Sequence, residues 1–344
     1  MKIRSRVTFV VDISKEVGKG HLSRCRALYE NLLLSGLQAR EVTWVLVGLT
    51  DIDLKQDFPE LDKSNIEKVL SKALKAKFLF LDTQWAVIDL PKSDFRDYED
   101  ALPETTKTLL IVDRPVGKYS VDILVAPNLF LTKNSQIIVE LNKSCECLIG
   151  PDWFPLRPEF YKKMNTGPKP NRGTHRIKVG AYFGGLDAEN QIEKVYKASL
   201  FLNSPEIKFD LIAGSESHLK DYVDNSQHIK LSLEKIDFPE YLSSCDMFIG
   251  SLGVSAWERS YLRIPTITSF QNDDQIEDYQ VMSNMNAIYG IGHAREYSSS
   301  ELAKAIEKLI SDELLLESLR NNSEAVMHEN ESKSSYLISQ VLDL

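Results

Sequence analysis

Short apolar runs alternate with polar or helix-forming segments along the first half of the chain. Short runs of this kind are typical of buried parallel strands, and the segments between them are long enough for crossover connections. The pattern predicts a βαβ domain, with a helix over residues 24–34 after the first run. The predicted strands cover residues 7–12, 43–48, 78–82, 108–113 and 123–126.

The same rhythm restarts after a segment with almost no apolar residues. Residues 161–175 are rich in Lys, Asn, Gly and Pro, which predicts a linker. We therefore expect an amino-terminal domain over residues 1–160 and a carboxyl-terminal domain over residues 176–344. In the second domain, Ser298 and Glu301 have the spacing of a helix capping box, and a further helix is predicted over residues 313–327. The predicted strands there cover residues 177–183, 208–213, 247–250, 266–269 and 287–290.

Composition limits the classes of partner. The 344 residues are 43% hydrophobic, enough for two ordinary cores. The formal charge of −9 argues against nucleic acid or an anionic membrane surface as the main partner, since both call for a basic face. The four cysteines are not spaced as zinc ligands, and we find no signal peptide or long apolar run. The expectation is a cytoplasmic protein without stable membrane insertion; its oligomeric state stays open.

The loop after the first predicted strand carries the strongest chemical signal. Gly18 and Gly20 precede His21, where a phosphate-binding glycine loop would continue into its helix. Ser23 stands where a dinucleotide fingerprint requires its third glycine, so NAD is not expected. Three predicted strands end in Asp12, Asp82 and Asp113, at the sheet edge where parallel sheets bind ligands.

Two glycine-bearing loops of the second domain are candidate nucleotide sites. The first contains Gly184 and Gly185. The second runs from a strand into a helix, where glycine allows close backbone approach and hydroxyls and free N–H groups donate to a pyrophosphate. Glu258, one turn into that helix, is a candidate ligand of ribose hydroxyls. The second loop contains Ser251, Gly253, Val254 and Ser255.

Two doubly wound domains with such loops facing a shared cleft are the architecture of GT-B sugar-nucleotide enzymes. In its ordered motifs the chain resembles the UDP-sugar hydrolases of pseudaminic (nonulosonic) acid biosynthesis and their spore-coat polysaccharide relatives, which are similar to MurG-type glycosyltransferases. The segment Arg157-Pro158-Glu159-Phe160 is especially characteristic of that hydrolase group. The other matching motifs are Val11-Asp12, Gly18-x-Gly20-His21-x-x-Arg24-Cys25, Gly150-Pro151-Asp152-Trp153, Gly184-Gly185-x-Asp187 with Asn190, Ser255-x-Trp257-Glu258-Arg259, Pro265-Thr266 and Asp274-Gln275.

The resemblance implies that water attacks the anomeric carbon of a UDP-linked 2,4-diacetamido-trideoxy sugar with inversion, without a required metal or other cofactor. His21 occupies the position of the family's catalytic group, with Gln84 and Asp274 at two further catalytic positions. An imidazole is partly neutral near pH 7 and can deprotonate a water molecule. By the same resemblance, Gln275 joins the nucleotide-binding residues named above. The sugar-binding positions are Asp12, Gly18, Gly20, Arg24 and Asp82.

Several residues depart from the family pattern. Val10 stands where an arginine is usual, Gln84 where a tyrosine is usual, and Asp274 where an asparagine is usual. These departures indicate a divergent member and leave three functions open. The first is the UDP-sugar hydrolase, and the second is a GT-B glycosyltransferase with a sugar or lipid hydroxyl as acceptor. The third is a sugar-nucleotide binding protein without turnover.

Overall fold

The chain forms two compact units, which the computed structural model describes over most of their length. The first unit contains residues Met1–Pro158 and Glu329–Leu344, and the second contains Glu159–His328. The expected division therefore needs correction at the carboxyl end, because residues 329–344 pack with the first unit and not with the second. The described residues are 5–14, 20–48, 65–69, 82–90, 102–133, 139–141, 144–164, 176–184, 187, 189–213, 228–232 and 236–343.

The strands of both units follow the apolar runs. In the first unit they are β1 (Ser5–Asp12), β2 (Val42–Val47), β3 (Asn65–Val69), β4 (Thr83–Asp89), β5 (Lys107–Ile111), β6 (Gly117–Tyr119), β7 (Ile123–Ala126), β8 (Val139–Leu141) and β9 (Glu146–Ile149). In the second unit they are β10 (Ile177–Tyr182), β11 (Ile207–Ile212), β12 (Ile229–Ser232), β13 (Met247–Ser251), β14 (Thr266–Phe270) and β15 (Tyr289–His293).

The described α-helices lie between and after these strands. They are α1 (Gly20–Leu34), α2 (Phe130–Lys133), α3 (Pro158–Met164), α4 (Gln191–Leu202), α5 (Phe238–Ser244), α6 (Val254–Tyr261), α7 (Ile276–Asn284), α8 (Ser299–Ser311), α9 (Glu313–Glu324) and α10 (Asn330–Leu342). None of the helices in the described ranges is long and apolar enough to cross a membrane.

Each unit contains a parallel sheet with the strand order of a Rossmann-type domain. The seven-stranded sheet has the order β3-β2-β1-β4-β5-β7-β9, and the six-stranded sheet has the order β12-β11-β10-β13-β14-β15. In both, the order reverses beside the first strand, between β1 and β4 and between β10 and β13. Ligands of open parallel sheets bind at this reversal, beyond the carboxyl ends of the strands.

Separate apolar cores hold the sheets and helices together. In the first unit, Phe9 stacks on Trp44 with ring centroids 4.3 Å apart, and the ring edge of Tyr29 from α1 meets both. Leu337 and Val341 of α10 join this core, which explains the correction at the carboxyl end. In the second unit, Leu302 of α8 belongs to the apolar core of the six-stranded sheet. The predicted capping box at the start of α8 is confirmed, with Ser298 and Glu301 each accepting from the other's backbone N–H.

Of the predicted strand over residues 78–82, the structure describes only Asp82, which precedes β4 instead of ending a strand. Residues 78–81 lie outside the described residues. Two apolar runs follow each other here, at 78–81 and 85–88, and the second run forms the central strand because its residues pair with β1 and β5. Strand β15 also lies further along the chain than the predicted 287–290.

Candidate functional site

His21 and Asp89 meet where the strand order of the first sheet reverses. His21 is the second residue of α1, the helix that follows β1, and Asp89 is the last residue of β4. Asp89 lies opposite Val11 in the β1–β4 register, one residue before the end of β1. The two side chains therefore come together at the ligand-binding edge that the topology defines.

The geometry orients the imidazole ring. Nδ1 of His21 lies 2.7 Å from Oδ1 of Asp89. The His21 side chain is 15% exposed and that of Asp89 is 1% exposed. When Nδ1–H donates a hydrogen bond to the carboxylate, the lone pair of the neutral ring lies on Nε2. This is the tautomer that a general base requires.

Arg24, one turn further along α1, binds the same carboxylate with two donors. Its Nε donates to Asp89 Oδ2 at 2.6 Å and its Nη2 to Asp89 Oδ1 at 2.7 Å. Nη1 donates to Asp113 Oδ1 at 2.5 Å, just beyond the end of β5. Arg24 is buried and its donors point at two carboxylates, so the structure places it inside this network. Its contact with the sugar stays a prediction.

The charges in this network stabilise one another. Burial alone would raise the pKa of Asp89, but the Arg24 cation and then His21 hold that pKa well below its usual range. Burial alone would lower the pKa of Arg24, but Asp113 and Asp89 raise it well above its ordinary value. Asp89 is thus a carboxylate and Arg24 a cation throughout the physiological pH range.

Two predicted site residues lie at the opposite end of β4. Asp82 and Gln84 are exposed at the amino end of the strand, whereas Asp89 ends it. At roughly 3.3 Å per residue, Asp82 lies about 20 Å from Asp89 along the strand. The structure therefore places Asp82 and Gln84 away from the His21–Asp89 pair, and their roles in sugar binding and catalysis stay predictions.

The other predicted residues of the first unit lie near the same edge or outside the described part. Asp12 ends β1, is buried, and accepts a hydrogen bond from the Ser14 backbone N–H at 2.8 Å. Gly20 begins α1. Gly18 lies outside the described residues.

In the second unit, β13 runs through a short turn into α6 as predicted. Gly253 caps α6 without a side-chain hydrogen bond, which leaves the amino-terminal N–H groups without a side-chain cap. Buried Arg259 reaches back under the turn, where Nη1 donates to Ser255 Oγ at 2.7 Å and Nη2 to the Ser251 carbonyl at 3.0 Å. Burial lowers the pKa of Arg259 to about 10, so it remains a cation at neutral pH.

A close approach fixes this turn. A Cβ on Gly250 would lie 2.8 Å from the Tyr182 carbonyl and 3.1 Å from Arg259 Nη1, whereas a Cβ on Gly253 would meet no atom of the described residues within 4 Å. Gly250 is therefore required by packing. The space at Gly253 is open to a ligand.

The remaining predicted nucleotide residues have mixed surroundings. Gly184, two residues after the end of β10, has a φ of +84°, typical of glycine, and Gly185 lies outside the described residues. Val254 is the first residue of α6, and Glu258 is buried in the same helix. Gln275 accepts from the Gln271 backbone N–H at 2.8 Å, and the neighbouring Asp274 is exposed in a 3-10 turn after β14.

Sequence reasoning missed three residues that the structure places at these sites. Asp89 was missed because the earlier apolar run was taken as the strand, although residues 83–89 form an equally good run ending in an aspartate. Asp113 was noted only as a strand end, and its bond to Arg24 depends on the sheet order. Arg259 was visible in the Trp257-Glu258-Arg259 motif, but its link to Ser251 and Ser255 follows only from the turn into α6.

Two Rossmann-like units with these strand orders define a GT-B type fold, the class expected from the sequence. No family model matches the chain. The chain is 26% identical over 294 residues to an uncharacterized protein of Methanocaldococcus jannaschii, a match that covers 80% of this chain and 57% of that relative. The chain thus spans little more than half of the relative's length.

Several solved glycosyltransferases share the fold at low sequence identity. Acinetobacter baumannii MurG matches with a TM-score of 0.60 at 9% identity, over 98% of this chain and 100% of its own. The spinosyn rhamnosyltransferase SpnG complexed with thymidine diphosphate matches at 0.61 and 12% identity, over 98% and 100%. Phytolacca americana UGT2 complexed with UDP-2fluoro-glucose and pterostilbene matches at 0.61 and 11% identity, over 98% and 99%. At these identities the likeness establishes the fold.

Proposed function

We propose that the protein is a GT-B glycosyltransferase that moves a sugar from a nucleoside diphosphate to an acceptor hydroxyl. The observation that carries the proposal is the His21–Asp89 pair, 2.7 Å apart at the strand-order reversal of a Rossmann-like sheet. A partly exposed imidazole held by a buried carboxylate has the arrangement of a general base.

The proposed reaction is a single displacement with inversion. Nε2 of His21 takes the proton of the acceptor hydroxyl while that oxygen bonds to the anomeric carbon. The bond between this carbon and the phosphate oxygen breaks, and its electron pair leaves with the nucleoside diphosphate. Asp89 stabilises the imidazolium, which then returns its proton to solvent.

The turn into α6 supports nucleotide binding by the second unit. Amino-terminal N–H groups and the helix dipole favour an anion there. Because Arg259 donates to Ser255 Oγ, the hydroxyl proton of Ser255 remains available to donate to a phosphate oxygen. The thymidine and uridine diphosphates of the related structures motivate testing both nucleotides.

Hydrolysis of a UDP-sugar is the second candidate, because the sequence carries the ordered motifs of the pseudaminic-acid hydrolase group, including Arg157-Pro158-Glu159-Phe160. The same base would then deprotonate water. In that case no acceptor is needed, and the oxygen of the freed sugar comes from solvent.

One experiment separates the candidates. The protein is incubated with UDP- and TDP-sugars in ¹⁸O-labelled water, with and without a panel of sugar and lipid alcohols, and products are analysed by mass spectrometry. Transfer requires an acceptor and leaves the label out of the product. Hydrolysis needs none and places the label in the free sugar.

Replacement of the proposed base tests its role in either reaction. His21→Gln is expected to lower turnover by about 10² to 10⁴-fold, while nucleotide affinity measured by calorimetry stays unchanged. Unchanged turnover in this variant removes His21 from the mechanism. Nucleotide binding without any product would favour the binding protein instead.

A further inference from the structure

Nδ1 of His21 faces two groups with opposite demands. It lies 2.7 Å from Asp89 Oδ1, which can only accept, and 2.8 Å from Arg24 Nη2, which can only donate. When Nδ1 carries a proton it can donate to Asp89, and when it carries none it can accept from Arg24. The state of the ring therefore depends on how strongly Arg24 and Asp89 hold each other.

The geometry commits Arg24 to the carboxylate. Two donors of Arg24 meet both oxygens of Asp89, at 2.6 and 2.7 Å, and bidentate pairs of this kind are the strongest charged hydrogen bonds. The third nitrogen of Arg24, Nη1, donates to Asp113, so the positive charge is shared between Asp113 and Asp89. The Asp113 side chain is 41% exposed, so solvent screens its share more than that of Asp89.

The other described groups near this pair change the balance little. Cys25 on α1 places Sγ 3.6 Å from Asp89 Oδ2, and burial raises the pKa of this thiol well above its ordinary value, so it carries no charge. Asp12 ends the neighbouring β1 and accepts from Ser14. Helix α10, which packs against α1, contributes apolar Leu337 to the core there.

We propose that Arg24 is a positioning residue that acts on His21 through Asp89, with Asp113 as its counter-ion. Arg24 neutralises the carboxylate that faces His21 through two hydrogen bonds, and Asp89 in turn orients the ring through Nδ1. The catalytic meaning of this device rests on the proposed function, but its effect on His21 does not.

The test is a titration of the whole protein labelled with ¹⁵N-histidine. The ring signals of His21 are assigned by their loss in His21→Gln, and chemical shifts followed against pH give the tautomer and the midpoint of titration. In Arg24→Gln, Asp89 loses its cation and the His21 midpoint is expected to rise by about one pH unit or more. In Asp113→Asn, Arg24 loses one of its two carboxylate partners and its charge acts mainly on Asp89. The titration midpoint of His21 is therefore expected to fall.

Opposite shifts distinguish this role from a structural one. Arg26→Gln is the matched control, because Arg26 lies on the same helix and pairs with Glu30; its His21 midpoint is expected to match the wild type. Unchanged midpoints in Arg24→Gln and Asp113→Asn, or shifts of the same sign, overturn the proposal. If Arg24→Gln does not fold, the half-exposed Asp113 still decides the question, since an unmoved midpoint in Asp113→Asn is sufficient against it.

The titration also separates this inference from the proposed function. If no nucleotide sugar is turned over but the midpoints shift as expected, the function fails and the inference stands. If turnover occurs but the His21 midpoints are unchanged, the positioning role of Arg24 fails and the proposed function stands. Where both hold, the acidic limb of the kcat profile moves with the His21 midpoint in each variant.

Discussion

At the scale of single residues, Asp89 is the feature on which the candidate site depends. It is fully buried at the end of β4, and it accepts from His21, Arg24 and the Cys25 thiol. A buried carboxylate with this many donors orients each of them. Asp82, seven residues earlier, is also an aspartate, but it is exposed and lies at the other end of β4.

Asp89→Asn tests the importance of that environment. The amide keeps the shape but removes the charge that orients Nδ1–H, so kcat is expected to fall by about 10² to 10⁴-fold, as for the loss of an orienting carboxylate in other His-based sites. Asp82→Asn is the matched control and is expected to leave kcat unchanged. A loss of kcat in Asp82→Asn equal to that in Asp89→Asn would instead support the predicted role of Asp82 in the sugar site.

At the scale of elements, the turn from β13 to α6 contains two glycines, and different constraints account for the missing side chain at each. Gly250 sits against the Tyr182 carbonyl, so any side chain must displace backbone. Gly253 is extended, with a φ of −155°, and an added Cβ there would have no neighbour within 4 Å among the described residues. Packing therefore explains the first glycine, and close approach of a ligand is the proposed explanation of the second.

The pair Gly250→Ala and Gly253→Ala separates these reasons. Gly250→Ala is expected to destabilise the second unit by about 1–3 kcal/mol through overpacking. Gly253→Ala is expected to cost up to about 1 kcal/mol, because alanine is a poorer helix N-cap than glycine, and to weaken binding of UDP or TDP measured by calorimetry. Wild-type nucleotide affinity in Gly253→Ala would contradict the proposed site at this turn.

At the scale of the whole molecule, the last helix belongs to the unit in which the chain began. Asn330 at the start of α10 donates to the carbonyls of Asp152 and Phe154, at 2.9 and 2.7 Å. Leu337 and Val341 then fill the core beside α1. Residues 329–344 are therefore part of the first unit's fold, although they follow the second unit in sequence.

Leu337→Ala is expected to destabilise the first unit by about 2–5 kcal/mol, because it leaves a cavity in a closed core. Hydrogen exchange followed by mass spectrometry should show lost protection in β1, β4 and β5 and unchanged protection in β10 to β14. Leu314→Ala, at a leucine 85% exposed on α9, is the control and is expected to change neither. Loss of protection in both units would mean that they do not unfold separately.

Much of the fold was predictable because its signal is local. Strands β1, β2, β5, β7, β10, β11, β13 and β14 were predicted to within two residues, since each is a short apolar run between polar breaks. The helix after His21 begins earlier than residue 24 because Gly20 and His21 already form its first turn. Strand β4 was not predicted, because its apolar run follows another in the sequence and its place between β1 and β5 depends on pairing across the sheet.

The sequence by itself determined the two parallel sheets, the glycine turns and the position of His21, because periodicity and turn chemistry act over a few residues. Tertiary structure alone decided which aspartate faces His21, what Arg24 binds and where α10 packs. Those choices depend on strand order and on contacts between residues as far apart as 65 and 336 positions along the chain. No local pattern encodes such distances, so the network around His21 became visible only once the sheet was assembled.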